Sequence, residues 1–115
     1  MRPLYHPRLE EITVEGILYA LSDPVRVRIY AELANADSAM NCAAFLVDGN
    51  LTLPKSTLSQ HFKILREAGL IRSERQGVEL KNSTRCQELK KKFGTMVTAI
   101  LHAYDTEARE SKRHS

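Results

Sequence analysis

The chain has no run approaching the roughly 18 uninterrupted apolar residues of a membrane helix, and its opening, Met1-Arg2-Pro3-Leu4-Tyr5-His6-Pro7, lacks the apolar stretch of an export signal. A cytoplasmic protein with no membrane contact is therefore expected. Cysteine is scarce: Cys42 and Cys86, 44 positions apart, give neither metal-ligand spacing nor a disulfide framework. Also missing are a glycine-rich phosphate loop, a His-Glu-x-x-His pair and a nucleophile elbow, and the carboxylates are scattered with no apolar run around any two of them. Catalysis is not expected, and no cofactor or metal is expected.

What is present is 115 residues, 43% of them hydrophobic and 27% charged. That is enough chain for one core and too little for two, so residues 1–115 are expected to form one domain. The net charge of +3 is unevenly placed. Residues 1–50 carry 4 basic and 7 acidic groups, residues 51–92 carry 10 and 4, and residues 93–115 carry 3 of each. Such segregation suggests a face that meets a polyanion, although a solvated basic surface gives the same count.

Pro3 and Pro7 mark residues 1–13 as an extended arm. A helix from Val14 is expected to bury Ile17, Leu18 and Leu21 before Ser22-Asp23-Pro24 breaks it. Pro24 suits the first position of the next helix, with Asp23 capping its free N–H groups. That helix, running to about Asn35, is read as burying Val25, Ile29 and Leu33, with Arg26 and Arg28 flanking the stripe. A short helix over Met40–Val47 follows. The clearest helix spans Lys55–Ala68, with Pro54 at its first position and Gly69 as a left-handed cap. Its wheel groups Leu58, Phe62 and Leu65, and sets Ser56, Ser59, Gln60, Lys63 and Glu67 opposite.

Leu70–Arg75 and Val78–Lys81 alternate around Gln76-Gly77, the pattern of a hairpin. From about Arg85, a dimerisation helix over 85–110 would place Leu89, Phe93, Met96, Val97, Ile100, Leu101 and Tyr104 on one face, with Gly94 as a weak point. That is more apolar surface than so small a core can cover, which points to pairing with a second copy.

The order is that of a winged helix-turn-helix, mainly α with a small β-hairpin wing, and a dimer through its N- and C-terminal helices is expected. A helix beginning with hydroxyl, amide and lysine side chains has the chemistry of a major-groove reader, since exposed helices without a task favour Glu, Lys and Ala. The segments Ala20-Leu21-Ser22-Asp23-Pro24-Val25-Arg26 and Pro54-Lys55-Ser56-Thr57-Leu58-Ser59-Gln60-His61-Phe62-Lys63-Ile64-Leu65-Arg66-Glu67-Ala68-Gly69-Leu70-Ile71 closely resemble the ArsR-type (ArsR/SmtB-like) transcriptional repressors. The resemblance extends over about residues 14–104. It implies a homodimer on a double-stranded DNA operator, released by a signal.

On that resemblance Ser56, Thr57, Ser59, Gln60, His61 and Lys63 fall on the recognition helix, with Ser59, Gln60 and His61 as candidates for base contact. Lys55 and Thr57 are candidates for phosphate. Arg72, Arg75, Gln76 and Lys81 fall on the wing. His61, between the polar and apolar faces, suits either DNA contact or the packing edge.

For the signal, the resemblance leaves three openings. The metal-sensing pattern is poorly met: Cys42 stands alone, and Ile100 occupies the place of an aspartate before His102, although Asp105, Glu107 and His114 follow. Cys42 and Cys86 form a candidate thiol switch, or are two inert thiols; Arg85 and the helix dipole would favour a Cys86 thiolate. An organic inducer could lie among Tyr5, His6, Tyr19, Met96 and Tyr104, or these are interface core. The rival functions are a winged helix serving protein–protein interaction and a non-inducible general DNA binder.

Overall fold

The computed structural model describes residues 4–35 and 53–113; the helix expected over 40–47, Cys42 and His114 lie outside the described residues. Residues 4–8 carry no regular secondary structure, with Arg8 in the extended region, and lead into a 3-10 turn at Leu9–Glu11. The arm is thus partly folded, and it is packed rather than free, with Pro7 and Ile12 buried. Helix α1 is Val14–Ala20, capped by the Thr13 hydroxyl, which accepts from the Gly16 N–H at 3.0 Å. It buries Ile17 and Ala20, and Leu21 follows them into the core. Leu18, expected beside them, is instead exposed at 48%. One turn closer to the N-terminus, Val14 shares its face and its exposure.

Helix α2, Pro24–Asn35, begins as expected: the Asp23 carboxylate accepts from the N–H groups of Val25 (2.8 Å) and Arg26 (3.4 Å). Its buried face differs from the expected one. Ile29 and Leu33 are buried and Val25 only partly, while Arg26, Val27 and Tyr30 join the interior. Arg26 is therefore no flanking residue. On a wheel of about 100° per residue, Ile29, Tyr30 and Leu33 all lie within about 60° of it, so Arg26 stands at the centre of the buried stripe.

Helix α3, Lys55–Glu67, sinks Leu58, Phe62 and Leu65 completely. Pro54 precedes the helix as its N-cap instead of occupying the first turn. Gly69 ends it with φ of 89°, and the Leu70 N–H returns to the Leu65 carbonyl at 3.0 Å. Strands β1 (Ile71–Gln76) and β2 (Glu79–Thr84) pair antiparallel from Ile71↔Thr84 to Gln76↔Glu79. The two-residue loop starts with Gly77 at φ 68°, where a primed hairpin turn needs a positive angle. The second strand runs three residues beyond the expected Lys81, because Asn82 faces Ser73 across the ladder and is fully buried.

The single C-terminal helix expected over 85–110 is two: α4, Cys86–Leu89, and α5, Gly94–Arg113, separated by a turn at 90–93. Gly94, where helix propensity is lowest, opens the second of them. Helix α2 packs against α3, α5 and β2, and α3 against β1. The hairpin therefore projects from the end of the helix whose polar face is left uncovered.

Candidate nucleic-acid interface

Sinking Leu58, Phe62 and Leu65 fixes the rotation of α3, and the opposite face follows from that. Lys55, Ser56, Thr57, Ser59, Gln60 and Lys63 are all exposed, while His61 is half-buried. Three hydroxyls, an amide and two ammonium groups thus occupy the first nine residues of the helix. Pro54, the N-cap of α3, makes no side-chain cap hydrogen bond, and no capping side chain is seen among the described residues, so the first-turn N–H groups suit an anion.

The expected wing residues fall on the hairpin but differ in charge availability. Arg72 Nη2 lies 3.1 Å from Glu88 Oε2, and Lys81 Nζ lies 3.0 Å from Glu79 Oε2. Arg75 and Gln76 are exposed near the tip, and Arg75 has no acidic partner among the described residues. Beside them Val78 is fully exposed.

Beneath this surface is a polar framework that the sequence did not announce. Arg85, 4% exposed, grips Glu88 with Nε (2.9 Å) and Nη2 (3.1 Å) and donates from Nη1 to the Pro7 carbonyl at 2.7 Å. The two guanidinium groups of Arg85 and Arg72 hold the Glu88 carboxyl below its ordinary range, the hydrogen bonds from Arg85 contributing most. The Ser73 hydroxyl donates to Asn82 Oδ1 at 2.6 Å and accepts from Arg66 at 3.3 Å. His6 Nε2 accepts from the Ser73 N–H at 3.0 Å while Nδ1 meets the Leu4 carbonyl at 3.1 Å, so the arm is pinned to the wing. Arg26 donates from Nε to the Ala20 carbonyl (2.7 Å) and from Nη2 to the Tyr19 carbonyl (3.1 Å), and its Nη1 lies 3.4 Å from His61 Nδ1. A wheel centred on Ile29, Tyr30 and Leu33 would have found Arg26. His6 carries no such local signal, because Ser73 lies 67 residues away; for Arg85 the i,i+3 pairing with Glu88 was local, but the Pro7 carbonyl lies 78 residues away.

Residues 21–74 match the family model described as a helix-turn-helix domain. Over 64 residues the chain is 41% identical to the HTH-type transcriptional repressor SmtB of Mycobacterium tuberculosis, in strains CDC 1551 / Oshkosh and ATCC 25618 / H37Rv alike. The ArsR-like transcriptional regulator of Rhodococcus sp. RHA1 superposes with a TM-score of 0.58 at 23% identity, covering 88% of this chain and 91% of its own. Residues 21–74 thus carry a helix-turn-helix domain, and the relatives that the chain resembles are regulators of the ArsR/SmtB type. The match to the mycobacterial repressors takes in 56% of this chain and 44% of theirs, so the chain spans less than half the length of the curated relatives it matches.

The remaining ArsR-type expectations meet the structure unevenly. Leu89, Phe93 and Val97, assigned to a dimer interface, are buried in the chain's own core, and Met96, Ile100, Leu101 and Tyr104 are partly buried against it. The expected pocket residues are dispersed: Tyr5 and Tyr19 are exposed, His6 is bound to Ser73, and Tyr104 Oη donates to the Leu21 carbonyl at 3.0 Å. A groove of about 870 Å³ is lined instead by residues that include Tyr30, Cys86, Leu89, Val97, Leu101 and His102. Cys86 is exposed and accepts from the Thr84 hydroxyl at 3.3 Å. Arg85, expected to act on that thiol, is engaged by Glu88 and Pro7. Asp105 pairs with Arg109 at 3.2 Å, and no three metal-ligating side chains cluster among the described residues. No helix among them is long and apolar enough to cross a membrane.

Proposed function

We propose that the chain is a cytoplasmic, sequence-specific DNA-binding repressor, active as a homodimer and without enzymatic activity. The observation that carries this reading is the rotation of α3, whose buried Leu58, Phe62 and Leu65 leave Lys55, Ser56, Thr57, Ser59, Gln60 and Lys63 outward on a helix whose N-cap is a proline. Ser59, Gln60 and His61 are assigned to base edges, and Lys55, Thr57 and Lys63 to phosphate. Ser56 completes the first turn against the backbone. Arg75, Gln76 and Val78 at the wing tip are placed to follow the neighbouring groove, with Arg72 and Lys81 closer to its edge. The repressor names of the mycobacterial relatives support the reading of the chain as a repressor.

Fluorescence anisotropy of the chain with the DNA upstream of its own gene, at two salt concentrations and with random duplex as competitor, tests the proposal. Tight, salt-sensitive and sequence-selective binding is expected. Salt-sensitive binding without selectivity would instead make it a general DNA binder, and no binding would favour a protein-interaction role. Repeating the titration after thiol oxidation asks whether Cys86 with Cys42 carries the releasing signal, and candidate organic inducers are tested in the same format.

A further inference from the structure

We propose that Arg26 is a positioning residue that fixes the tautomer of His61 and so makes His61 a hydrogen-bond donor to a base edge. This rests on the DNA-binding reading of α3. The guanidinium of Arg26 has little freedom: the residue is 7% exposed, its Nε and Nη2 satisfy the carbonyls of Ala20 and Tyr19 that end α1, its Cζ sits 5.3 Å from the Tyr19 ring centroid, and Asp23 Oδ2 lies 3.9 Å from Nη1. One N–H of Nη1 remains for His61 Nδ1 at 3.4 Å.

The chemistry of that contact is one-sided. A guanidinium has five donors and no acceptor and does not lose its proton in proteins, so Nδ1 must offer its lone pair. A neutral imidazole with a lone pair on Nδ1 carries its hydrogen on Nε2. That nitrogen has no hydrogen-bond partner among the described residues, and His61 is half-exposed at the midpoint of the helix assigned to the groove. The buried side of the ring is held while the other nitrogen is left as a donor of fixed identity.

Such a donor discriminates. In the major groove it donates to guanine N7 or O6, adenine N7 or thymine O4, and it finds no acceptor in the cytosine amino group. His61 therefore reads against cytosine at one position, and Arg26, without touching DNA, decides that it does so. The alternative tautomer would present an acceptor and invert the preference.

Two measurements on the full chain decide it. Long-range proton–nitrogen NMR at about pH 8, where an ordinary histidine is neutral, is expected to show His61 as the Nε2–H tautomer alone. The Nδ1–H form would overturn the proposal. Selection from a randomised duplex pool is expected to yield a site in which one base disfavours cytosine by about tenfold or more. His61→Ala should lose that single preference with the salt dependence unchanged, and His61→Gln, whose amide can turn its oxygen to accept from the cytosine amino group, should relax it. Arg26→Lys, if it folds, should mix the tautomers and weaken the same preference. A wild-type site that H61A selects equally well would overturn the assignment while leaving DNA binding intact. A wild-type chain that enriches no sequence would overturn the DNA-binding reading itself, and the base contact with it.

Discussion

At the scale of single residues, the basic side chains of this domain divide by what they already touch. Arg85 and Arg26 are buried and spend their donors on carbonyls and a carboxylate. Arg72 and Lys81 are half-buried and paired, and Arg75 is exposed without an acidic partner among the described residues. A polyanion gains most from the last kind, because a paired arginine must give up one anion to meet another. Arg75→Ala should therefore lower affinity for all duplexes and reduce the slope of log affinity against log salt by about one unit. Arg72→Ala should change that slope less. Anisotropy titrations over a salt series separate the two, and equal slopes would mean that the Arg72–Glu88 pair opens on DNA. The sequence made the three basic wing residues look alike; only the acids folded against two of them tell them apart.

At the scale of elements, α3 was the most legible part of the chain because its signals agree: a proline before it, a glycine after it, and three large apolar residues on one face. Helix α2 was harder, since an arginine stands where an apolar residue would have marked the centre of the stripe. The break between α4 and α5 was visible only as Gly94. Gly69 is the junction on which the hairpin's direction depends. At φ 89° it is in the region that L side chains avoid, and a β-carbon there would overlap the Ile12 side chain and approach Pro7. Gly69→Ala should cost about 2–4 kcal/mol, from the left-handed penalty together with overpacking. Urea denaturation followed by circular dichroism measures it, and a loss under about 1 kcal/mol would show that Ile12 can move aside.

The pin between arm and wing has a pH dependence whose sign can be worked out. Partial burial holds His6 below its ordinary value; the bond to the Leu4 carbonyl opposes this, and the nearby Arg72, Arg66 and Arg85 reinforce it. The folded state then binds fewer protons than the unfolded one between the two values, so stability rises with pH there. The contribution is complete above the ordinary value of about 6.5 and is lost as pH falls below it through the lowered folded value. Protonation also removes the lone pair with which Nε2 accepts the Ser73 N–H. Hydrogen exchange at the Ser73 amide should therefore lose protection relative to its β1 neighbours between about pH 7.5 and 5.5. The loss should be absent in His6→Gln. Equal protection across that range would mean that the arm is held by Pro7 and Ile12 packing and not by His6.

At the scale of the whole molecule, the question is what covers the apolar surface that one chain leaves open. Periodicity alone gave seven residues of the C-terminal segment to a partner, but three of them close the chain's own core and cannot serve both purposes. What remains outward is found partly on α1: Val14 at 49%, Leu18 at 48% and Tyr19 at 62% exposure. The Tyr104 hydroxyl on the Leu21 carbonyl brings α5 beside the end of this helix, so α1 and the partly buried residues of α5 form one neighbourhood. A dimer through both helices would bury that surface, and the choice of substitution follows from it. A charge at Ile100 would confound two effects, since that side chain also packs against the core of its own chain. Leu18→Asp places the charge where the monomer is already open, so it should leave the monomer's fold intact while burying an unpaired carboxylate in any dimer that uses α1. Sedimentation should then show the wild type as a dimer and L18D as a folded monomer with weakened DNA binding. A dimeric L18D would remove α1 from the interface and leave α5 alone to hold it.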